Sequence, residues 1–317
     1  MLPAPVRRAA DLALEVAVVP SFTRIGPRVR RAVDGWEAPA ADALAGRTVV
    51  VTGATSGLGA AIARGVGAAG ADVVVVGRDA ARGATTCEAV VAAGGTARFV
   101  AADVDELAQV RRLADDLVDA PLHAIVHNAG AILPERRTTS EGLEATWASM
   151  VVGPHLLTRL LAAHTDRTIW MSSGGMYLQA LDLADWSWER RPWDGTRAYA
   201  QAKRAQVDLV ALATERAELP PQVAMHPGWA DTPGVADSLP GFHRAMGTLL
   251  RTPAEGADTA VWLCAAPSTA LQPGRLYLDR RPRSTVRWPG TGTSTEDRRH
   301  LRLLVDEQAG LTGDAAT

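Results

Sequence analysis

A valine-rich run that ends in a glycine loop and continues as a helix leaves a chain few folds to adopt. Residues Thr48-Val-Val-Val-Thr52 read as a buried parallel strand. They run into Gly53-Ala-Thr55-Ser56-Gly57-Leu58-Gly59, and the helical pattern Ala60-Ala-Ile-Ala-Arg-Gly-Val follows at once. Strand, glycine turn and helix in that order form the setting of a dinucleotide-phosphate site. Gly53 allows the tight turn, Gly57 the close approach of backbone to a pyrophosphate, and Gly59 the packing of helix on strand. Phosphates would then sit at a helix amino terminus, where free N–H groups and the dipole favour anions.

The alternation of strands and helices continues from there. A second strand, Asp72-Val-Val-Val-Val76, ends in Gly77-Arg78-Asp79. An acid at this strand end would grip the ribose hydroxyls of NAD, whereas an arginine accommodates the 2′-phosphate of NADP. Arg78 favours NADP and leaves NAD as the alternative; Asp79 has a structural use as a helix cap. The pattern then predicts helices over about 80–93 and 105–119, strands over 97–101 and 122–126, and a long helix over 140–164. Strands Thr168–Met171, Gln222–Met225 and Gly274–Leu278 complete the series. Repeated strand–helix units imply a three-layer, doubly wound parallel sheet, the Rossmann fold. Its ligands sit beyond the carboxyl ends of the strands. Asp103, with Val104 beside it, stands after the third strand and could accept a hydrogen bond from an adenine amino group. Asn128-Ala129-Gly130, after the fourth, supplies an amide able to tie neighbouring strand ends together.

Composition limits what surrounds this domain. A hydrophobic content of 47% suits a large core, and a net charge of −2 with no basic stripe excludes nucleic acid as a partner. Cys87 and Cys264 lie far apart, offer neither a disulfide framework nor metal spacing, and point to the cytoplasm. Residues 1–45 read as an amino-terminal extension, 46–280 as the sheet domain, and 281–317 as an appended Arg/Pro/Thr-rich tail. Residues 1–31 hold six arginines against Asp11 and Glu15. Their apolar run, Ala9 to Pro20, is too short to span a bilayer, and its two acids spoil it as a signal-peptide core. It is either a helix docked on the protein, the preferred reading, or a basic amphipathic helix resting on an anionic membrane.

One further stretch carries chemistry. Lys203 is the sole lysine among 33 basic residues, which suggests a position where a compact ammonium is needed and a forked guanidinium will not serve. Tyr199 precedes it by four residues, one helical turn away on the same face. Thr232 follows Pro227-Gly228 after the sixth strand, and Ser172-Ser173 follow the fifth.

Taken in order, TGxxxGxG, NAG, the serine, YxxxK and PG-xxx-T resemble the short-chain dehydrogenase/reductase superfamily over residues 46–280. The long interval between serine and tyrosine is similar to its retinol-dehydrogenase-like branch. The resemblance implies NAD(P)-dependent interconversion of a carbonyl and an alcohol, with Tyr199 as acid/base, Ser173 and Lys203 as its partners, and Thr232 facing the cofactor's carboxamide. A fixed ammonium, with the positive nicotinamide ring, would favour phenolate. One position departs from the family: its helix asparagine, which orients a proton-relay water, aligns with Met150, and a thioether cannot do this. The alternative is therefore a nucleotide-binding sensor or scaffold with little or no turnover. The expected substrate is a hydrophobic carbonyl or alcohol walled by Trp186, Trp188, Trp193 and the stretch from Asp231 to Leu250. Relatives often pair through their long helices, so homo-oligomers are open.

Overall fold

The valine run forms β1 (Thr48–Thr52), the centre of an eight-stranded sheet. The structure, a computed structural model, describes residues 3–311. Residues 1–2 and 312–317, parts of the expected extension and tail, lie outside the described residues. The other strands are β2 (Asp72–Gly77), β3 (Thr96–Ala101), β4 (Leu122–His127), β5 (Thr168–Met171), β6 (Gln222–Met225), β7 (Leu276–Leu278) and β8 (Arg281–Arg283). Their spatial order is β3-β2-β1-β4-β5-β6-β7-β8, parallel throughout except for the β7–β8 hairpin. The chain reverses direction across the sheet between β1 and β4, the crevice where open α/β sheets bind ligands.

Unbroken valines suit these strands because both sheet faces are buried. Val49, Val51, Val73 and Val75 pack with Ile62, Val66, Val90 and Leu263 of the helices on one side. Val50, Val74 and Val76 pack with Val110, Trp147, Leu156 and Leu209 on the other. The three expected layers are present.

The long helix is shorter and less regular than its sequence suggests. Glu144 caps it, accepting from the N–H groups of Thr146 and Trp147 at 2.8 Å each. An α-helical turn, Ala145–Trp147, leads into a π-helical turn, Ala148–Val152, and then the helix Gly153–Leu160. Residues before Glu144 form a loop, because Thr139 and Ser140 bond their own neighbourhood and Glu106 instead of a helical ladder. The π turn falls on Met150.

The described parts of both extensions are built into the body. The tail, expected to be appended, supplies β8 and the helix Thr295–Gln308, whose Leu301 and Val305 are fully buried in the main core. That helix lies over both long helices. Its Asp306 pairs with His155 at 2.7 Å and Arg159 at 3.0 Å, and its Arg298 pairs with the buried Asp208 of the helix Gly195–Ala213 at 3.0 Å.

At the other end, the helices Ala4–Ala17, Val19–Phe22 and Ile25–Asp34 dock beside the β7–β8 hairpin. Their arginines are mostly partnered inside the protein. Arg28 pairs with Glu255, Arg31 with Asp258, and Arg7 with Asp34, while Arg24 bonds the Thr248 carbonyl. Arg30 is buried and bonds Asp11 at 2.7 Å, Glu15 at 2.8 Å and Asp279 at 2.5 Å. Arg251 reaches the same Asp279 at 2.6 Å. Removing one member of so buried a cluster would cost about 3–5 kcal/mol, because its partner would keep an uncompensated charge. No described helix is long and apolar enough to cross a membrane.

Candidate active site

Every residue singled out for cofactor or catalysis lines one cavity of about 1110 Å3 at the carboxyl ends of the strands. Its nucleotide end is the glycine loop after β1. Gly53 has φ +63°, and a Cβ there would lie 2.8 Å from the Ala129 Cα. At Gly59 a Cβ would sit 2.2 Å from the Gly53 carbonyl oxygen and 2.5 Å from the Asn128 side-chain nitrogen, so only glycine fits. Ser56 stands at the cap position of the helix Gly57–Gly67, yet its side chain makes no capping bond. The first-turn N–H groups are thus left for a ligand. This donor set and the glycine cradle fit a dinucleotide pyrophosphate.

The strand ends are tied by Asn128, which donates to the Thr52 and Gly53 carbonyls at 3.0 and 3.1 Å. Thr52 Oγ1 in turn accepts from the N–H groups of Asn128 and Ala129 at 3.1 and 3.2 Å. Asp79 caps its helix, accepting from the Arg82 N–H at 3.0 Å. Arg78 is left exposed at the cavity edge, with Asp103 as its nearest acid at 3.4 Å. Burial, together with the neighbouring Asp103, pushes the Asp105 carboxyl up to about 7, against the pull of Arg137 and Arg78.

At the reactive end, Asp194 caps the helix Gly195–Ala213 by accepting from the Thr196 and Arg197 N–H groups at 3.1 Å. That helix brings Tyr199 and Lys203 to one face, the Lys203 Nζ 5.4 Å from the Tyr199 ring centroid. Nζ donates to the Met171 carbonyl at the end of β5 at 2.6 Å. Ser172 donates to the Lys203 carbonyl at 2.9 Å, so it ties helix to strand and leaves Ser173 for the cavity. Burial dominates both titrating groups. It pushes the Lys203 ammonium down to about 7. It also raises the Tyr199 phenol, although the Ser173 hydroxyl draws that value back down. Thr232 Oγ1 accepts from the Val235 N–H at 3.3 Å, so it caps a helix as well as lining the cavity.

Met150 is fully buried, its thioether packed against Gly130, where a Cβ would come 2.9 Å from Cγ and Sδ. Its carbonyl accepts from Gln206 Nε2 at 2.7 Å. Ser149 lines the cavity but donates to the Thr146 carbonyl at 3.2 Å. Sequence reasoning missed Gln206, although it lies three residues after Lys203 on the same helical face.

The three tryptophans expected as substrate walls do not line the cavity. Trp186 packs on Trp147, with ring centroids 5.9 Å apart, and Trp188 packs edge-on to Trp193 under the Arg191 guanidinium. The aromatic lining comes from Phe22, Tyr177, Trp229, Phe242 and Trp288. The stretch from Asp231 to Leu250 does contribute, through Thr232, Val235, Leu239 and Phe242 among others. His226 is buried behind the cavity, its Nδ1 accepting from the Gly228 N–H at 3.2 Å.

Comparison with known proteins agrees with this geometry. The family described as short chain dehydrogenase matches residues 47–176. The chain is 42% identical over 201 residues to dehydrogenase/reductase SDR family member 12 of Homo sapiens, covering 60% of this chain and 62% of that protein's length. It is 32% identical over 331 residues to the polyprenol dehydrogenase of Mus musculus, covering 96% of each. Among solved structures it resembles a 3-oxoacyl (acyl-carrier-protein) reductase from Agrobacterium tumefaciens with NADP bound, at 27% identity and TM-score 0.55 over 69% of this chain and 88% of that one. The fold and site define a dinucleotide-binding α/β protein. The chain belongs to the short-chain dehydrogenase/reductase family, whose members are NAD(P)-dependent oxidoreductases.

Proposed function

We propose that this protein is an NADP(H)-dependent oxidoreductase that interconverts a hydrophobic carbonyl and its alcohol. The observation carrying this reading is the convergence of Ser173, Tyr199 and Lys203 on a cavity whose other end is a glycine-cradled, uncapped helix terminus. Bound NADPH supplies the hydride. Ser173 orients the carbonyl oxygen, and Tyr199, whose phenol burial raises above its ordinary value, donates the proton that this oxygen needs. Lys203, on the next turn, holds the nicotinamide ribose. Arg78, exposed at the cavity edge, supports NADP over NAD, and Asp79 beside it caps the following helix. The NADP held by the bacterial reductase agrees with that choice. Measuring NADPH oxidation with a panel of apolar aldehydes and ketones tests the reading; no turnover with either cofactor would remove it.

Met150 favours a second reading, a nucleotide-binding protein with little turnover, since its carbonyl is already bonded to Gln206 and its side chain offers no hydrogen bond. A large rate gain in Met150→Asn would show that a relay had been missing. A protein silent in both forms, yet binding NADPH, would favour the sensor.

We place the protein in the cytoplasm, on its two unpaired cysteines. Contact with a lipid surface would rest on apolar side chains more than on charge, because most arginines of residues 1–31 are partnered internally while Leu12 and Val16 are 65% and 75% exposed. Flotation with vesicles should then be insensitive to salt. Pairing of two copies through the long helices would have to displace the helix Thr295–Gln308.

A further inference from the structure

The helix Val19–Phe22 precedes the sheet domain and lies far from Ser173 in sequence, yet Phe22 and Val18 line the cavity with it. A Cβ on Gly174, the residue after Ser173, would come 2.9 Å from Phe22 Cε2. The ring edge meets His226 at a 4.7 Å centroid distance and Trp229 at 5.5 Å. Its backbone is held as firmly. The Phe22 carbonyl accepts from the Trp229 N–H at 2.7 Å and from Arg251 Nε at 3.0 Å. Arg251 also donates to the Ser21 carbonyl at 2.6 Å and to Asp279, which anchors Arg30 of the following helix.

Val18 joins two helices with φ +52° and ψ −64°. A β-branched residue is rarely found there, and such a conformation persists only where its surroundings impose it. The tether of Phe22 and the docking of the helix Ala4–Ala17 through Asp11 and Glu15 supply that constraint. The amino-terminal segment therefore ends as a rigid aromatic wall against the catalytic strand end.

The geometry points to Phe22, with Val18, as a specificity-determining wall: the amino-terminal segment sets how much apolar bulk is accepted beside the reacting carbon. This rests on the oxidoreductase reading, and its site is the substrate side of the same cavity. Gly174, next to Ser173, has no side chain of its own, and Phe22 takes that space from outside the domain.

The test uses full-length protein, wild type against Phe22→Ala and Phe22→Leu, with 1-cyclohexylethanol and 2-butanol as probes. Calorimetry on NADPH-loaded protein, in which an alcohol cannot react, gives the affinity for each alcohol, and kcat/KM for the two matching ketones gives the same ratio in turnover. In Phe22→Ala the preference for the cyclohexyl probe should rise about tenfold, the effect expected for opening an apolar pocket by a side chain. Phe22→Leu should shift it less, and NADPH affinity should stay within about twofold in both. An unchanged probe ratio, an equal loss for both probes, or no alcohol binding in any of the three proteins would overturn the assignment. Absence of turnover with retained alcohol discrimination would instead remove the oxidoreductase reading alone.

Discussion

The two ends of the cavity are made by opposite means. The nucleotide end comes from short contiguous motifs: the loop Gly53–Gly59, Arg78, Asp103-Val104 and Asn128–Gly130, each at the carboxyl end of its own strand. The substrate end is assembled from residues hundreds of positions apart, with Phe22 of the amino-terminal segment, Trp229 and Phe242 of the stretch after β6, and Trp288 from the tail. The first kind of site depends on backbone geometry, which a few glycines can dictate. The second depends on which distant segments dock, and that is settled by buried ion pairs and aromatic contacts.

The largest test of this contrast falls where the two ends meet. Tyr199→Phe removes the proposed proton donor and leaves the ring, so turnover should drop by about a thousandfold while NADPH binding, read by fluorescence, stays near wild type. Equal losses in both would mean that the ends are not separable. Next, Gly59→Ala forces a Cβ against the Gly53 carbonyl and Asn128. It should destabilise the fold by about 1–3 kcal/mol in urea melts and abolish nucleotide binding, whereas Phe22→Leu, which loosens a buried aromatic cluster, should spare nucleotide binding.

Arg78→Ala should weaken NADPH by about tenfold, the scale of one charge-assisted contact at an exposed site, with NADH unchanged. NADH binding as well as NADPH in the wild type would defeat the assignment of Arg78. The smallest effect concerns Lys203, whose pKa is lowered by burial to about 7. The charged form is disfavoured in the folded state, so this group opposes stability fully below pH 7 and progressively less from there toward its unfolded value. In the absence of cofactor, Lys203→Met should raise the melting temperature by about 5 °C at pH 6, with the gain fading by pH 10. A gain that grows with pH would contradict the burial argument.

Much of the nucleotide end was legible because its determinants are local. A valine run buried on both faces, a glycine where no Cβ fits, and a tyrosine one turn before the only lysine each carry their reason within a few residues. The tryptophans at 186, 188 and 193 misled because aromatic side chains line pockets and fill cores equally well. Here Trp147 and Arg191 claim two of them for packing. The helix start at Glu144 was likewise hidden, since the helix expected from 140 gives way to a loop once Ser140 bonds the distant Glu106 and Thr139 bonds the Leu143 N–H.

By itself, then, the sequence determined the Rossmann sheet, its order of strands along the chain, and the chemical groups at the strand ends, because period, glycine and charge act over short distances. Only the tertiary structure decided that the described parts of both extensions belong to the body and that Phe22 lines the cavity. It alone showed Tyr199 and Lys203 buried together, an environment that raises the phenol and lowers the ammonium. Those outcomes depend on burial and on charges meeting across more than two hundred residues, as Arg30 meets Asp279, and no local pattern encodes such a meeting.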